Sequence, residues 1–415
     1  MQNQSLMINN KLGQELQKVP GPFSLDCNYK NSSEWLEISA QAFDANIACY
    51  KRAIHDKKIA LVVKANAYGH GLENIGKLAQ LNNDISWLCV ATTAEALELR
   101  NYGITKPLLV LNPNPFDMYL DKLAENNIDI IVDDISFLDQ LNALGTLAHT
   151  AINIHVKVNS GLARFGLSPT DIIDFINYAR TRTSITVRGL CSHFAQSDNS
   201  DTQFTQQQEH IFFTVVAELA TRNLLPPIIH IDNSAGSTTA AHNNNYIHTN
   251  TSTCLVRIGA GAYGVWPSLY TQETTIKKFP WFTLTPILTW KSRIMAIKVL
   301  PEQTPIGYNK TFITEKITRI GLLPIGYYNG YDRRLSNKGM VKIGAYYAPV
   351  VGLVAMNTIT IDITLIPDAI IGTEVILMGP YDMIDPRSLV TTTQQHNPRE
   401  FLTRINPLVK RITCI

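Results

Sequence analysis

Lys64 is placed where chemistry can happen. It follows the apolar run Ile59–Val63 and opens the Gly-containing stretch Ala65–Gly71. A lysine leaving an apolar strand end is partly desolvated, which lowers its pKa and makes its amine a usable nucleophile. The position equally suits a lysine that lays its stem on apolar surface and sends its ammonium to solvent. The Gly-rich string VRIGAGAYG, residues 256–264, does not open a βαβ unit followed by an acid, so it is not a dinucleotide fingerprint. The six cysteines, at 27, 49, 89, 191, 254 and 414, include no C-x-x-C pair. Zinc and thioredoxin-type chemistry are therefore unsupported, and no metal site is expected. Cys191 and Cys254 lie among apolar residues and are expected in the core.

Lys64 needs a scaffold that presents strand ends. Short apolar runs occur at 59–63, 87–91, 107–111, 128–132, 152–158, 185–190, 227–231 and 255–259. Helical stretches separate them, among them 93–102, 170–181 and 205–223. In the last, Phe212, Val215, Val216, Leu219 and Ala220 recur at three- and four-residue spacing, and Pro226-Pro227 is expected to end the helix. Eight strands alternating with helices predict an α/β fold with a (β/α)8 TIM-type barrel, and a doubly wound sheet is the alternative. In the barrel, Lys64 falls at the C-terminal mouth, where catalytic groups collect. Beyond residue 278 the helical period gives way to short β-branched runs divided by Gly, Pro and Asn-Lys-Gly turns, which predicts a C-terminal all-β domain. The expected division is an N-terminal extension at 1–33, a barrel at 34–278 and a β domain at 279–415.

The chain has 415 residues, 45% of them hydrophobic and 17% charged, which suits a folded protein of two or three domains. Its 36 basic and 34 acidic residues leave a formal charge of +2, too balanced to imply nucleic acid or an anionic membrane as partner. A small metabolite is compatible with it. The first twenty residues lack a basic segment followed by an apolar stretch, and no apolar run approaches the length of a membrane span. With sparse cysteines, this predicts a cytoplasmic protein.

The string VVKANAYGHG, residues 62–71, resembles the cofactor-binding signature of the alanine racemase family, fold-type III pyridoxal-phosphate enzymes. The resemblance continues in order through HVKVNSGLARFGL, GLCSHFAQSD, HIDNSAGS, VRIGAGAYG, IGYNKTF, LPIGYYNGYDRRLSNKG and LTRINPLVKRI, and so covers about residues 34–415. It implies that Lys64 carries pyridoxal 5′-phosphate as a Schiff base and later acts as a base on one face of the substrate α-carbon. Tyr308 would serve the opposite face, reaching into the barrel of a partner subunit in a homodimer. A phenol, with a pKa of about 10, is a poor base unless cationic neighbours depress it. His193 and Arg257 resemble the residues that supply that setting. Arg257 matches an arginine that meets the cofactor's pyridine nitrogen and, being permanently charged, leaves that nitrogen unprotonated. The ring is then a weaker electron sink, which favours racemisation over decarboxylation. Without the resemblance, Arg257 would read as a strand-end arginine paired with a surface carboxylate.

By the same resemblance, Tyr68, Ser234, Gly259 and Ala260 match phosphate contacts. Arg164 and the backbone around Met356 match substrate contacts, and a guanidinium suits a substrate carboxylate. Lys157 matches a lysine that is carbamylated in many relatives, and its plain alternative is a lysine–acid pair. The implied activity is interconversion of L- and D-alanine, supplying D-alanine for peptidoglycan. Three departures bear on the substrate. Asn159 and Asn357 stand where acids are usual. Asn309 replaces the common glycine. Arg399 replaces a tyrosine of the inner gate. The Y-N-x-T and M-N-T strings also resemble broad-specificity amino-acid racemases.

Overall fold

The structure, a computed structural model, describes residues 32–239, 252–394 and 397–414, so nearly all of the expected 1–33 extension, with Cys27, lies outside the described residues. The chain divides into two compact units. One comprises Asp44–Ala67 and Ile75–Leu284. The other comprises the stretch ending at Phe43, Tyr68–Asn74 and Thr285 onward.

The first unit is a closed barrel of eight parallel strands. They are β2 (Lys58–Val62), β3 (Ile85–Val90), β4 (Leu108–Val110), β5 (Ile128–Val132), β6 (Ile152–Lys157), β7 (Ile185–Cys191), β8 (Ile228–His230) and β9 (Thr253–Ile258). Each coincides with one of the eight apolar runs. They read as runs and not as alternations because the strands lie between an interior and a ring of helices, and both faces are buried. The barrel closes where β2 pairs with β9, Ala60 standing opposite Arg257.

The helices of this unit include α1 (Ala40–Ile54), α2 (Leu72–Leu81), α3 (Thr93–Asn101), α4 (Ile135–Leu147), α5 (Ile172–Arg180), α6 (Gln203–Thr221) and α7 (Leu269–Lys278), although α1 and α2 begin in the other unit's segments. α6 buries Phe212, Val215, Val216 and Leu219 as its period demands, whereas Ala220 is only part-buried. The prolines at 226 and 227 are not what ends it. Asn223 adopts φ 55, and Leu224 N–H donates to Leu219 O at 2.8 Å while Asn223 N–H donates to Ala220 O at 3.2 Å. Those two bonds close a left-handed cap, a conformation asparagine tolerates better than most residues.

In the second unit, the six-stranded sheet runs β16-β15-β18-β10-β1-β19: Tyr346–Pro349, Met340–Ile343, Glu374–Met378, Leu288–Arg293, Glu34–Ser39 and Arg411–Cys414. A three-stranded sheet, β11-β14-β17 (Ala296–Leu300, Thr318–Leu323, Ile359–Asp362), and a ribbon of β12 (Pro305–Ile306) with β13 (Phe312–Ile313) accompany it. Two short helices, α8 (Pro386–Thr393) and α9 (Pro398–Thr403), follow. The expected barrel boundary at residue 34 needs correction. Strand β1 is not in the barrel; it pairs antiparallel with β10 and parallel with β19, Leu36 facing both Trp290 and Arg411. Leu36 and Ile38 are fully buried on one face, and Trp35 is fully buried on the other. A sequence pass has no local signal for a strand that pairs with partners more than 250 residues away. Cys191 is in the core, but Cys254, near the start of β9, is only part-buried. No helix among the described residues is long and apolar enough to cross a membrane.

Candidate active site

The C-terminal ends of the barrel strands gather most of the singled-out residues. Lys64 lies just past β2, Lys157 ends β6, His193 follows β7, Ser234 follows β8, and Arg257 with Gly259 closes β9. This is the mouth at which barrel enzymes place their chemistry.

Lys64 opens a left-handed turn. Ala65, Asn66, Ala67 and Tyr68 all have φ between 52 and 55. Such backbone costs about 1–2 kcal/mol per non-glycine residue. Specific bonds hold it. Ala67 N–H donates to Val63 O at 2.8 Å, and Ala67 is fully buried. The Glu95 carboxylate accepts from Ala65 N–H at 2.7 Å and from Ala91 N–H at 2.8 Å, tying the turn to the end of β3. Burial, then the nearby Arg164 and Arg257 cations, lower the pKa of Lys64, with Glu95 opposing. Its amine is thus more available than a solvent-exposed one.

Arg257 is buried, and no carboxylate pairs with it among the described residues. The strand-end ion pair is therefore not what holds it. Its NH2 donates to Ser192 O at 2.7 Å, Ile231 O at 3.1 Å and His193 Nδ1 at 2.9 Å. Its NH1 donates to His230 O at 3.2 Å and to His230 Nδ1. The guanidinium is fixed by carbonyls and imidazoles, while Nε makes no hydrogen bond among the described residues. Burial and the Arg257 charge hold His193 well below the usual histidine range. His193 is therefore neutral, and the positive setting comes from Arg257 and the lysines.

Ser234 Oγ accepts from Gly259 N–H at 2.9 Å and Gly261 N–H at 3.5 Å. Gly261 is required there, since a Cβ would come within 2.0 Å of the Tyr50 hydroxyl. Ala260 begins the tight turn Ala260–Tyr263 that follows. The result is a compact cluster of hydroxyl and backbone N–H groups.

Lys157 is buried, and burial is the largest cause lowering its pKa. Its Nζ lies 5.4 Å from the Phe165 ring centre, and no carboxylate forms an ion pair with it among the described residues. Arg164 is exposed on the loop after β6, 5.9 Å from the same ring. Asn159 organises that loop: its Oδ1 accepts from Gly161 N–H and Ala163 N–H, both at 3.1 Å. Only an oxygen acceptor is needed, so asparagine does there what an aspartate would.

The remaining candidates belong to the second unit. Tyr68 ends the left-handed turn, its carbonyl 3.1 Å from His70 Nδ1. Tyr308 lies in the tight turn Tyr308–Lys310 between β12 and β13 and is 69% exposed. Asn309 has φ 59, so the left-handed geometry that favours glycine survives, with asparagine as a tolerated substitute. Met356 is exposed, and its carbonyl accepts from Tyr328 N–H at 3.0 Å. Asn357 beside it is exposed as well. Arg399 sits at the start of α9, where Asn397 Oδ1 accepts from its N–H at 3.1 Å and its Nε–H at 2.7 Å, folding the guanidinium back onto the helix cap.

The sequence reading did not single out Glu95, Tyr50, Asp129, His155 or His230. The signal for three of them was present: a charged or imidazole side chain inside an otherwise apolar run, as in IDIIV, INIHVKV and PIIHI.

The family model described as alanine racemase, N-terminal domain, matches residues 38–267, and that for the C-terminal domain matches 287–413. Alanine racemase 2 of Caldanaerobacter subterraneus subsp. tengcongensis is 34% identical over 83% of this chain and 85% of its own length. Alanine racemase of Methanococcus maripaludis is 35% identical over 83% and 88%. Among solved structures, alanine racemase of Clostridium difficile 630 superposes with a TM-score of 0.84 at 27% identity, covering 92% of this chain and 96% of that one. With both domain models matched in order and relatives of this identity spanning most of its length, the chain belongs to the alanine racemase family.

Proposed function

We propose that the protein interconverts L- and D-alanine with pyridoxal 5′-phosphate as cofactor, Lys64 and Tyr308 acting on opposite faces of the α-carbon. The observation that carries the reading is Arg257, fixed by backbone carbonyls and imidazoles with no acid against it and with Nε left over. The residues fit the cofactor. Lys64 offers an amine of lowered basicity to an aldehyde, Arg257 Nε a donor to a ring nitrogen, and the Ser234–Gly259–Ala260 cluster short polar groups to a phosphate. When bound, the cofactor supplies a conjugated system that delocalises the charge left on the α-carbon.

The protein's part is to move protons and hold the substrate. Lys64 Nζ takes or returns the α-proton on one face. Tyr308 does so on the other, from a turn whose exposure suits reaching into a second copy of the chain in a homodimer. Arg257 cannot give up its proton, so it keeps the ring a weak electron sink and limits side reactions. Arg164, with the backbone at Met356, receives the substrate carboxylate. Lys157, neutral for a larger fraction than a surface lysine, suits carbamylation, since only the free amine reacts with carbon dioxide. Labelled bicarbonate is expected to give a carbamate carbon signal that Lys157→Ala removes.

A broader substrate range is the second reading, favoured by Asn159 and Asn357 in place of acids and by Arg399 drawn back onto Asn397. Alpha-proton exchange in heavy water across a panel of amino acids tests both. Exchange with alanine far above the rest supports the first reading, comparable exchange with larger uncharged amino acids supports the second, and no exchange defeats both. A cytoplasmic role in supplying D-alanine for the cell wall follows from the first reading. Rescue of a D-alanine auxotroph tests it.

A further inference from the structure

Asp129 lies one residue into β5 and is 1% exposed, an ionisable group inside the barrel that the proposed chemistry does not use. Its Oδ2 lies 3.1 Å from His155 Nε2 on β6. His155 Nδ1 lies 2.8 Å from His230 Nε2 on β8, and His230 Nδ1 meets Arg257 NH1 on β9. Both imidazoles are fully buried. The line passes over β7 at Gly189, where a Cβ would stand 2.1 Å from His155 Nδ1. The β6–β7 register also shifts between Ile154 and His155. The barrel has made room for this ring. The same carboxylate also accepts from Arg188 NH1, at 3.2 Å to Oδ1 and 3.4 Å to Oδ2.

Donor and acceptor capacity fixes the direction of the line. A guanidinium only donates, so His230 Nδ1 accepts. A neutral His230 then carries its proton on Nε2 and donates to His155 Nδ1. His155 in turn carries its proton on Nε2 and donates to Asp129, which as a carboxylate only accepts. With neutral rings, a single arrangement satisfies all three bonds.

We propose that Asp129 is a positioning residue for Arg257, acting through His155 and His230. Its charge holds both rings in the Nε2–H form, which keeps His230 Nδ1 as an acceptor and clamps the guanidinium. The negative charge stabilises the cation from two imidazoles away, without a carboxylate against Arg257. The logic is that of a buried carboxylate setting the tautomer of an active-site histidine, here extended over two rings. The consequence for catalysis rests on the proposed reading of Arg257.

The test is side-chain nitrogen NMR of histidine-labelled holoenzyme, repeated on Asp129→Asn. In the unmodified protein, His155 and His230 are expected as Nε2–H tautomers. In the variant, the amide oxygen takes Arg188 and the amide NH2 faces His155 Nε2. Both rings should then switch to Nδ1–H, setting His230 Nδ1–H against Arg257. We expect kcat to fall roughly 10- to 100-fold, the usual range for loss of a supporting shell, with KM nearly unchanged. An Nδ1–H or doubly protonated ring in the unmodified protein overturns the proposal, whether or not the variant folds. So does a variant that loses activity while both rings stay Nε2–H, since that is the result of simple structural damage. If the unmodified protein racemises no amino acid yet shows both Nε2–H rings, the functional reading fails and the relay stands.

Discussion

Lys64 shows what burial does to a single side chain. Its pKa in the fold lies below the ordinary lysine value of about 10.4. Between those two values the unfolded chain holds a proton that the folded chain has released, so stability rises with pH across that window. Below the folded value the penalty of keeping the cation buried, and near Arg164 and Arg257, is fully present. Lys64→Met is therefore expected to stabilise the cofactor-free protein modestly near neutral pH and to flatten the rise toward pH 10, measured by urea unfolding at several pH values. With cofactor, the unmodified protein should absorb near the visible edge, and Lys64→Ala should lose that band. A Lys64→Ala protein that kept it would place the attachment elsewhere. Tyr308→Phe should slow α-proton removal from one alanine enantiomer at least tenfold more than from the other, a cost in the usual range for a lost general base. Equal losses in isotope exchange from both enantiomers would argue against two distinct bases.

At the scale of elements, the barrel strands were legible because most are short apolar runs buried on both faces, β7 with its exposed Thr186 and half-buried Arg188 being the least so. Helix α6 was legible from its spacing, but its end was not. The prolines were the conspicuous signal, while the chain turns earlier, at the left-handed Asn223. Asn223→Ala is expected to cost about 1 kcal/mol in thermal unfolding, whereas Asn223→Gly should be neutral or slightly stabilising. An alanine variant as stable as the parent would show that the Leu224–Leu219 bond forms without help from the residue between. The left-handed turn after Lys64 is the opposite case. VVKANAYGHG contains no glycine until residue 69, so nothing local announces four positive φ angles in a row. The Glu95 carboxylate, thirty residues away, holds the turn from outside, and the Ala67–Val63 backbone bond closes it.

For the whole molecule, the first described strand belongs with the last. Strand β1 lies between β10 and β19, and Trp35 is fully buried in that unit. A protein beginning at residue 40 would leave those two strands without their common partner and expose an unpaired edge. We expect it to be largely insoluble or to show a separate, lower unfolding transition reported by the Trp290 fluorescence of the β unit. A soluble protein with the parent's unfolding profile would mean that β10 and β19 do not need the strand between them.

The sequence by itself determined the eight-stranded barrel, the β region after it and, through the order of its motifs, which residues are candidates for the site. Apolar periodicity and motif order are local properties, carried by residues near one another in the chain. What only the tertiary structure decided is how those residues are held. The guanidinium of Arg257 is clamped by Ser192, Ile231, His193 and His230, and behind His230 stand His155 and Asp129 from other strands. His230, His155 and Asp129 each look, in sequence, like a polar intruder in an apolar run. Burial forbids leaving such groups unpaired, so the closed barrel, by bringing strand interiors together, turns separate intruders into one hydrogen-bonded line that ends on Arg257.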